Sequence, residues 1–301
     1  MDDSLVDQVR RFNRTVTQRV GALNDHYLAR DHPLGEARVL WEIGPDGCDV
    51  RSLRAQLDLD SGYLSRMLRS LEANGLVTVG TGDGDKRVRF ARLTKKGARE
   101  RALLDRRSDA LARSLLDPLT AAQRERLVRA MSDVERLLTA ALVDIDVIDP
   151  AHRHAQFCLH AYYDELDRRF DTGFDPTVTR TVDLDEVRAP RGLFLVATLR
   201  SEPVGCGALK FHGRQPTEIK RMWVAESARG LGVGRRLLTE LEEHARANGS
   251  RAVRLDTNKA LVEAISMYRS TGYVEVDAFN DEPYADHWFE KRLNGGRRPS
   301  R

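Results

Sequence analysis

Cysteine is scarce in this chain, and its three copies, Cys48, Cys158 and Cys206, stand far apart. Their scatter fits neither a metal finger nor a disulfide framework, so reduced thiols, a cytoplasmic location and no metal are expected. Long apolar runs are lacking as well. The longest is Leu193-Phe194-Leu195-Val196-Ala197, far short of the ~20 residues that cross a bilayer. The start, Met1-Asp2-Asp3-Ser4, has no basic-then-apolar leader, so neither secretion nor a membrane partner is expected. Net charge is also low, at +3, so any polyanionic partner has to be sought in a local patch.

Such a patch exists. Residues 1–144 hold 25 Lys+Arg against 22 Asp+Glu, an excess of three, whereas residues 145–301 hold 24 of each. Between Lys86 and Arg101 there are eight basic residues and one acidic, Glu100. A basic stripe of this kind points to nucleic acid more directly than the global charge does. The remaining composition, 41% apolar and 32% charged over 301 residues, is that of folded globular protein long enough for two domains of about 100–200 residues each. Periodicity places a first domain at 1–144, a linker at 145–151, a second domain at 152–295 and a basic tail at 296–301.

Apolar residues at Leu5, Val9, Phe12, Val16, Val20 and Leu23 are spaced 4, 3, 4, 4 and 3, one stripe of a long helix. Short helices follow at about 37–43, 50–57 and 61–74, the last ended by Asn74-Gly75. Strand-like runs at 77–79 and 87–93 then flank a Gly/Asp loop and read as a hairpin. A second helical stripe runs through Leu127, Met131, Val134, Leu138 and Leu142. Two short helices before a hairpin form the layout of a winged helix-turn-helix, in which the second helix offers its N-terminal end to a DNA groove. That end carries Ser61, Gly62, Tyr63, Ser65 and Arg66, with Arg69 one turn on. The hairpin brings Lys86, Arg87 and Arg89 towards phosphates or the minor groove.

These stretches resemble the MarR family of regulators. The likeness lies in Ala37–Ile43, Tyr63-Leu64-Ser65-Arg66 through Leu76-Val77, Asp85-Lys86-Arg87 and Leu93-Thr94-Lys95-Lys96-Gly97. One departure is Val79, where many members have arginine. The resemblance implies a mainly α, DNA-binding domain that forms a homodimer through its first and last helices and binds a double-stranded operator.

The second half alternates strands and helices, with helices near 155–170, 230–247 and 261–270. Its most specific element is Arg229-Gly230-Leu231-Gly232-Val233-Gly234-Arg235, between a strand at Ile219–Val224 and an apolar helix. Glycines let the backbone approach a ligand, and a helix start offers unpaired amides and a positive dipole end to a pyrophosphate. No Gly-Lys-Ser/Thr follows, so it is not a Walker loop, and the dinucleotide fingerprint spacing fails.

With Ala264 to Ser270, Gly272-Tyr273 and the strand Val253–Asp256, this region resembles the GNAT superfamily of acyl-CoA-dependent N-acetyltransferases. The resemblance implies an α/β fold with a mixed central sheet, acetyl-CoA as cosubstrate and a small-molecule amine as acceptor. By the same resemblance Met222, Trp223 and Val224 bind pantetheine through their backbone and Arg229 to Arg235 cradle the pyrophosphate. Asn258 substitutes for the family asparagine that Leu261 replaces. Tyr268 is the general acid, and Glu218, 14 residues before Gly232, is the base. The whole chain thus resembles a regulator fused to an acetyltransferase. Two other readings stay open here: a regulator that senses acetyl-CoA or an acylated ligand without turnover, and a helical half that serves dimerisation alone.

Overall fold

The computed structural model describes residues 3–22, 28, 32–81, 88–171, 173–176, 184–213 and 215–293. The chain divides into two compact units, Met1–Arg129 and Ala130–Arg301.

In the first unit the described residues form α1 (Asp3–Arg19), α2 (Leu34–Ile43), β1 (Cys48–Asp49), α3 (Val50–Leu57), α4 (Ser61–Ala73), β2 (Val77–Thr81), β3 (Arg89–Leu93) and α5 (Lys95–Leu116). Helix α6 (Ala121–Ala140) crosses the division. Aspartates start the two short helices. Asp49 accepts from the Arg51 and Ser52 amides, and Asp60 from those of Gly62 and Tyr63, pairing donors that a helix start leaves unsatisfied. Between the helices Asp58 turns the chain at φ 49°. Leu64, Met67, Leu68 and Leu71 form the buried stripe of α4 and join Leu40, Ile43 and Leu53 in one core. The strands pair antiparallel in the order β1-β3-β2. Helix α1 ends at Arg19 and buries nothing; Leu5, Val9, Phe12 and Val16 of its stripe are exposed.

The second unit is built on a seven-stranded sheet. Its elements are β4 (Val143–Val147), α7 (Arg153–Arg169), β5 (Gly192–Leu199), β6 (Glu202–Lys210), β7 (Thr217–Val224), α8 (Val233–Ala247), β8 (Ala252–Thr257), α9 (Val262–Ser270), β9 (Val274–Val276) and β10 (His287–Arg292). The strand order is β4-β5-β6-β7-β8-β10-β9, and only β7 and β8 run parallel. Strand β5 shows why the longest apolar run is a strand. Leu193, Leu195 and Ala197 join the core around α8, while Phe194 and Val196 join the one around α7, so alternate side chains fill both faces. At about 1.5–3 kcal/mol for each large buried side chain, these two layers hold the sheet.

The expected linker at 145–151 begins inside β4, which pairs with β5 over Val143–Val147. The break in helical periodicity after Leu142 marks the start of a strand: Val143-Asp144-Ile145-Asp146-Val147 alternates with period two. The tail at 296–301 lies outside the described residues.

Candidate active site

Strands β7 and β8 pair only at Thr217↔Val253 and Glu218↔Arg254, and beyond that point they separate. The gap exposes the edge of β7 and opens a cleft of about 500 Å³. Its walls include Met222, Trp223 and Val224 on β7, Met267 and Tyr268 on α9, and Glu165 and Arg169 on α7. One end is closed by the glycine loop: Arg229, Gly230, Gly232, Val233, Gly234 and Arg235 all line the cleft. Gly230 and Gly232 take φ 79° and 78°, and a Cβ on either would meet nothing within 4 Å. Helix α8 starts at Val233 with no acidic residue in its first turn. Among the described residues, the amides of Gly232, Val233, Gly234 and Arg235 donate to no acceptor of the chain. An open, unpaired cradle at the positive end of a helix fits a pyrophosphate.

Glu165 of α7 organises the wall beside this loop. Arg229 Nη2 donates to both of its carboxylate oxygens at 2.6 Å, Arg169 Nη1 at 3.2 Å and Trp223 Nε1 at 2.9 Å. Arg169 reaches on to Glu263 Oε2 at 2.7 Å.

A smaller cavity of about 80 Å³ adjoins the cleft. Tyr162, Leu166, Met222, Leu261, Ala264 and Tyr268 line both, so Tyr268 stands at their junction. Burial, followed by the neighbouring Tyr162 and Asp256, pushes its phenol well above the usual range. It therefore holds its proton at neutral pH. Asp256 on the cavity wall accepts from Lys220 Nζ and, at 3.0 Å, from Asn280 Nδ2. Phe170, Phe174 and Tyr284 form an aromatic cluster in the lining of the same cavity, with ring centroids 5.0–5.9 Å apart.

Met222, Trp223, Val224, Arg229, Gly230, Gly232, Val233, Gly234, Arg235 and Tyr268 are thus brought to one cleft. Three other residues are not. Leu231 packs on the core under α8. Asn258 Nδ2 donates to Tyr284 O and its Oδ1 accepts from the Ala260 amide; it braces a turn at the small cavity and does not line the cleft. Glu218 lines neither space. It is buried against Arg254 Nη2 at 2.7 Å, His212 Nε2 at 3.4 Å and Lys220 Nζ at 3.8 Å. Burial alone would raise its carboxyl, but Lys220, Arg254 and His212 outweigh that and hold it below the usual range. A carboxylate engaged by two cations and a histidine, outside the lining of both spaces, is poorly placed as a proton acceptor for substrate. Sequence reasoning alone does not single out Asp256, Arg221, Tyr162 or Glu165; for Tyr162 and Glu165 the one signal is their spacing with Arg169 along one helix face.

In the first unit Ser61, Tyr63, Arg66 and Arg69 are exposed on α4 and Ser65 is half-buried, while Arg89 is exposed at the start of β3. Arg66 lies over the Tyr63 ring at 5.6 Å, and Arg69 Nε donates to Ser65 O at 3.3 Å. Lys86 and Arg87 lie outside the described residues.

Parallel strands that splay apart, an amide cradle at a helix start and a proton-holding tyrosine between two cavities define an acyl-transfer enzyme of the coenzyme A-dependent kind. Comparison with known proteins agrees. Residues 159–273 match the Acetyltransferase (GNAT) family. The chain is 36% identical over 122 residues to the IAA acetyltransferase of Azospirillum brasilense, covering 40% of this chain and 78% of that protein. Among solved structures it is similar to an acetyltransferase of GNAT family from Staphylococcus aureus, with TM-score 0.42 and 18% identity, over 50% of this chain and 99% of that one. It is also similar to a "probable transcriptional regulator" from Pseudomonas aeruginosa, with TM-score 0.38 and 21% identity, over 43% of this chain and 98% of that one. The chain belongs to the GNAT acetyltransferase family through its C-terminal part. No helix among the described residues is long and apolar enough to cross a membrane, and none of their His, Cys, Asp and Glu side chains form a group suited to a metal ion.

Proposed function

We propose that this chain joins a dimeric, MarR-like DNA-binding regulator to an acetyl-CoA-dependent N-acetyltransferase for a small-molecule amine, acting in the cytoplasm. The observation that carries the enzymatic half is Tyr268, buried where the coenzyme cleft meets the small cavity. The coenzyme supplies an acetyl thioester. The amides of Gly232 to Arg235 hold its pyrophosphate, and the β7 edge at Met222, Trp223 and Val224, where the Val224 carbonyl also accepts from Arg229 Nε at 3.3 Å, orients pantetheine. Tyr268 keeps a proton on its phenol oxygen for the departing thiol. Of the two carboxylates Asp256 and Glu218, Asp256 lines the small cavity and Glu218 does not; with Lys220 and Asn280 donating to it, Asp256 orients the acceptor ammonium, whose proton passes to water. Among the described residues lining the two spaces there is neither cysteine nor serine, which favours direct attack of the amine over a covalent enzyme intermediate.

For the regulatory half, the supports are the exposed Tyr63, Arg66 and Arg69 on one face of α4 and the exposed apolar stripe of α1, which a second copy would bury. The enzymatic reading is tested by thiol release from acetyl-CoA with an amine panel. Tyr268→Phe should lower kcat by about a hundredfold or more while leaving coenzyme affinity within a few-fold; unchanged turnover would remove Tyr268 as the acid.

A further inference from the structure

Beside Tyr268 the small cavity carries a cation that no carboxylate of the described residues pairs. Arg221 lies in β7 where the strand bulges: Cys206 pairs with Trp223 and Ala208 with Lys220, so Arg221 and Met222 together oppose Gly207. Its backbone takes φ 58°, a conformation that side-chain-bearing residues rarely adopt and that bulges next to active sites use to re-aim a side chain. The guanidinium stacks over the rings of Tyr162 at 5.9 Å and Tyr163 at 5.3 Å, and the residue lines the cavity. The other strand cation on that wall, Lys220, is neutralised by Asp256 and lies 3.8 Å from Glu218. Arg221 therefore holds a partly desolvated positive charge, preoriented by two aromatic faces, with no counter-ion among the described residues. Asp256, Glu282 and the aromatic cluster of Phe170, Phe174 and Tyr284 line the same cavity, and Phe174 stacks in turn on Tyr163 at 5.7 Å.

We infer that the acceptor is an α-amino acid with an apolar side chain: Arg221 binds its carboxylate, Asp256 faces its amine, and the aromatic cluster packs its side chain. A plain amine would leave the arginine uncompensated, whereas the carboxylate of an amino acid pairs it. Transfer then forms the amide C–N bond and breaks the C–S bond, releasing the free thiol and a proton, with no further reactant. The inference rests on the acetyltransferase reading above and adds to it the specificity-determining role of Arg221.

The experiment compares matched substrates that differ only in the carboxylate, L-phenylalanine against phenethylamine and L-leucine against isoamylamine, by thiol release from acetyl-CoA with the full chain. Each amino acid should exceed its amine in kcat/KM by about ten- to hundredfold, the range for a hydrogen bond to a charged group. In Arg221→Asn that ratio should fall to about one, through a raised KM for the amino acid; asparagine tolerates positive φ, so the bulge is kept. Arg221→Lys should restore part of the ratio. Amines that match or outrun their amino acids, or a ratio unchanged in Arg221→Asn, overturn this assignment and leave the acetyltransferase reading standing. If no compound raises thiol release above the hydrolysis of acetyl-CoA alone, both fail together. Thermal shift of the coenzyme-bound protein by each compound gives a second readout: stabilisation by amines alone also rejects the role of Arg221.

Discussion

Replacing Gly232 by alanine separates the conformational cost of the coenzyme loop from its binding role. The residue takes φ 78° just before α8, and a Cβ added there meets nothing within 4 Å. The whole structural cost is therefore the left-handed backbone, about 1 kcal/mol for alanine. In a domain of this size that amounts to roughly 2–4 °C in Tm. Gly249, just past the other end of α8, provides the control: it takes φ 83° and its Cβ space is equally empty, so Gly249→Ala should show the same shift. The two differ in what the methyl group faces. At 232 it enters the cleft beside the free amides; at 249 it does not line the cleft. Calorimetric titration with coenzyme A should therefore show at least about a tenfold loss of affinity, equal to 1.4 kcal/mol, in Gly232→Ala and little change in Gly249→Ala. Equal affinities in the two variants would refute the cradle; a clash-sized loss of stability in either would refute the open space around it.

Three further outcomes follow from the same geometry. Because Glu218 has a lowered pKa in the folded chain, its contribution is fully present above the unfolded carboxylate pKa and fades as pH falls through the folded value; Tm of Glu218→Gln measured from pH 7 to 3 should thus fall less steeply than that of the parent, and parallel curves would contradict the cation cluster around it. Leu237→Ala, which empties a fully buried site in the α8 core, should cost about 2–5 kcal/mol in urea unfolding. If the first unit reads DNA, Arg66→Ala with Arg69→Ala should weaken duplex binding and reduce the salt slope by about one per residue; an unaltered slope would place the contact elsewhere.

What the sequence disclosed depended on how locally each feature is encoded. The loop Arg229–Arg235 is contiguous, and its glycines have few explanations other than close approach, so its place was legible. The small cavity is assembled from α7, β7, β8 and the segment around Tyr284, whose members stand up to 122 positions apart between Tyr162 and Tyr284. Each reads in isolation as an ordinary aromatic or charged residue. Arg221 was hidden for a further reason: alternation along a strand assigns its side chain to a face, and the bulge resets that assignment. The edge strand β4 is hard to read because only Val143 of its five residues is buried, so its short period-two run looks like the linker expected at 145–151.

Glu218 and Arg229 carry the same lesson in physical form. Motif spacing put Glu218 at the position of a base, yet a carboxylate is a base only where its charge is not already spent, and here Arg254, His212 and Lys220 surround it. Motif spacing likewise assigned Arg229 to the pyrophosphate, yet its guanidinium is taken up by Glu165 at 2.6 Å. With that arginine engaged, the amides of Gly232 to Arg235 and the side chain of Arg235 are what the loop has left to offer an anion. Arg229 instead fixes the loop to α7, the helix that also presents Tyr162 and Leu166 to the small cavity. On the proposed reading, coenzyme and acceptor sites that share one helix in this way are positioned by the same ion pairs, so the wall that receives the coenzyme would also set the wall that receives the acceptor.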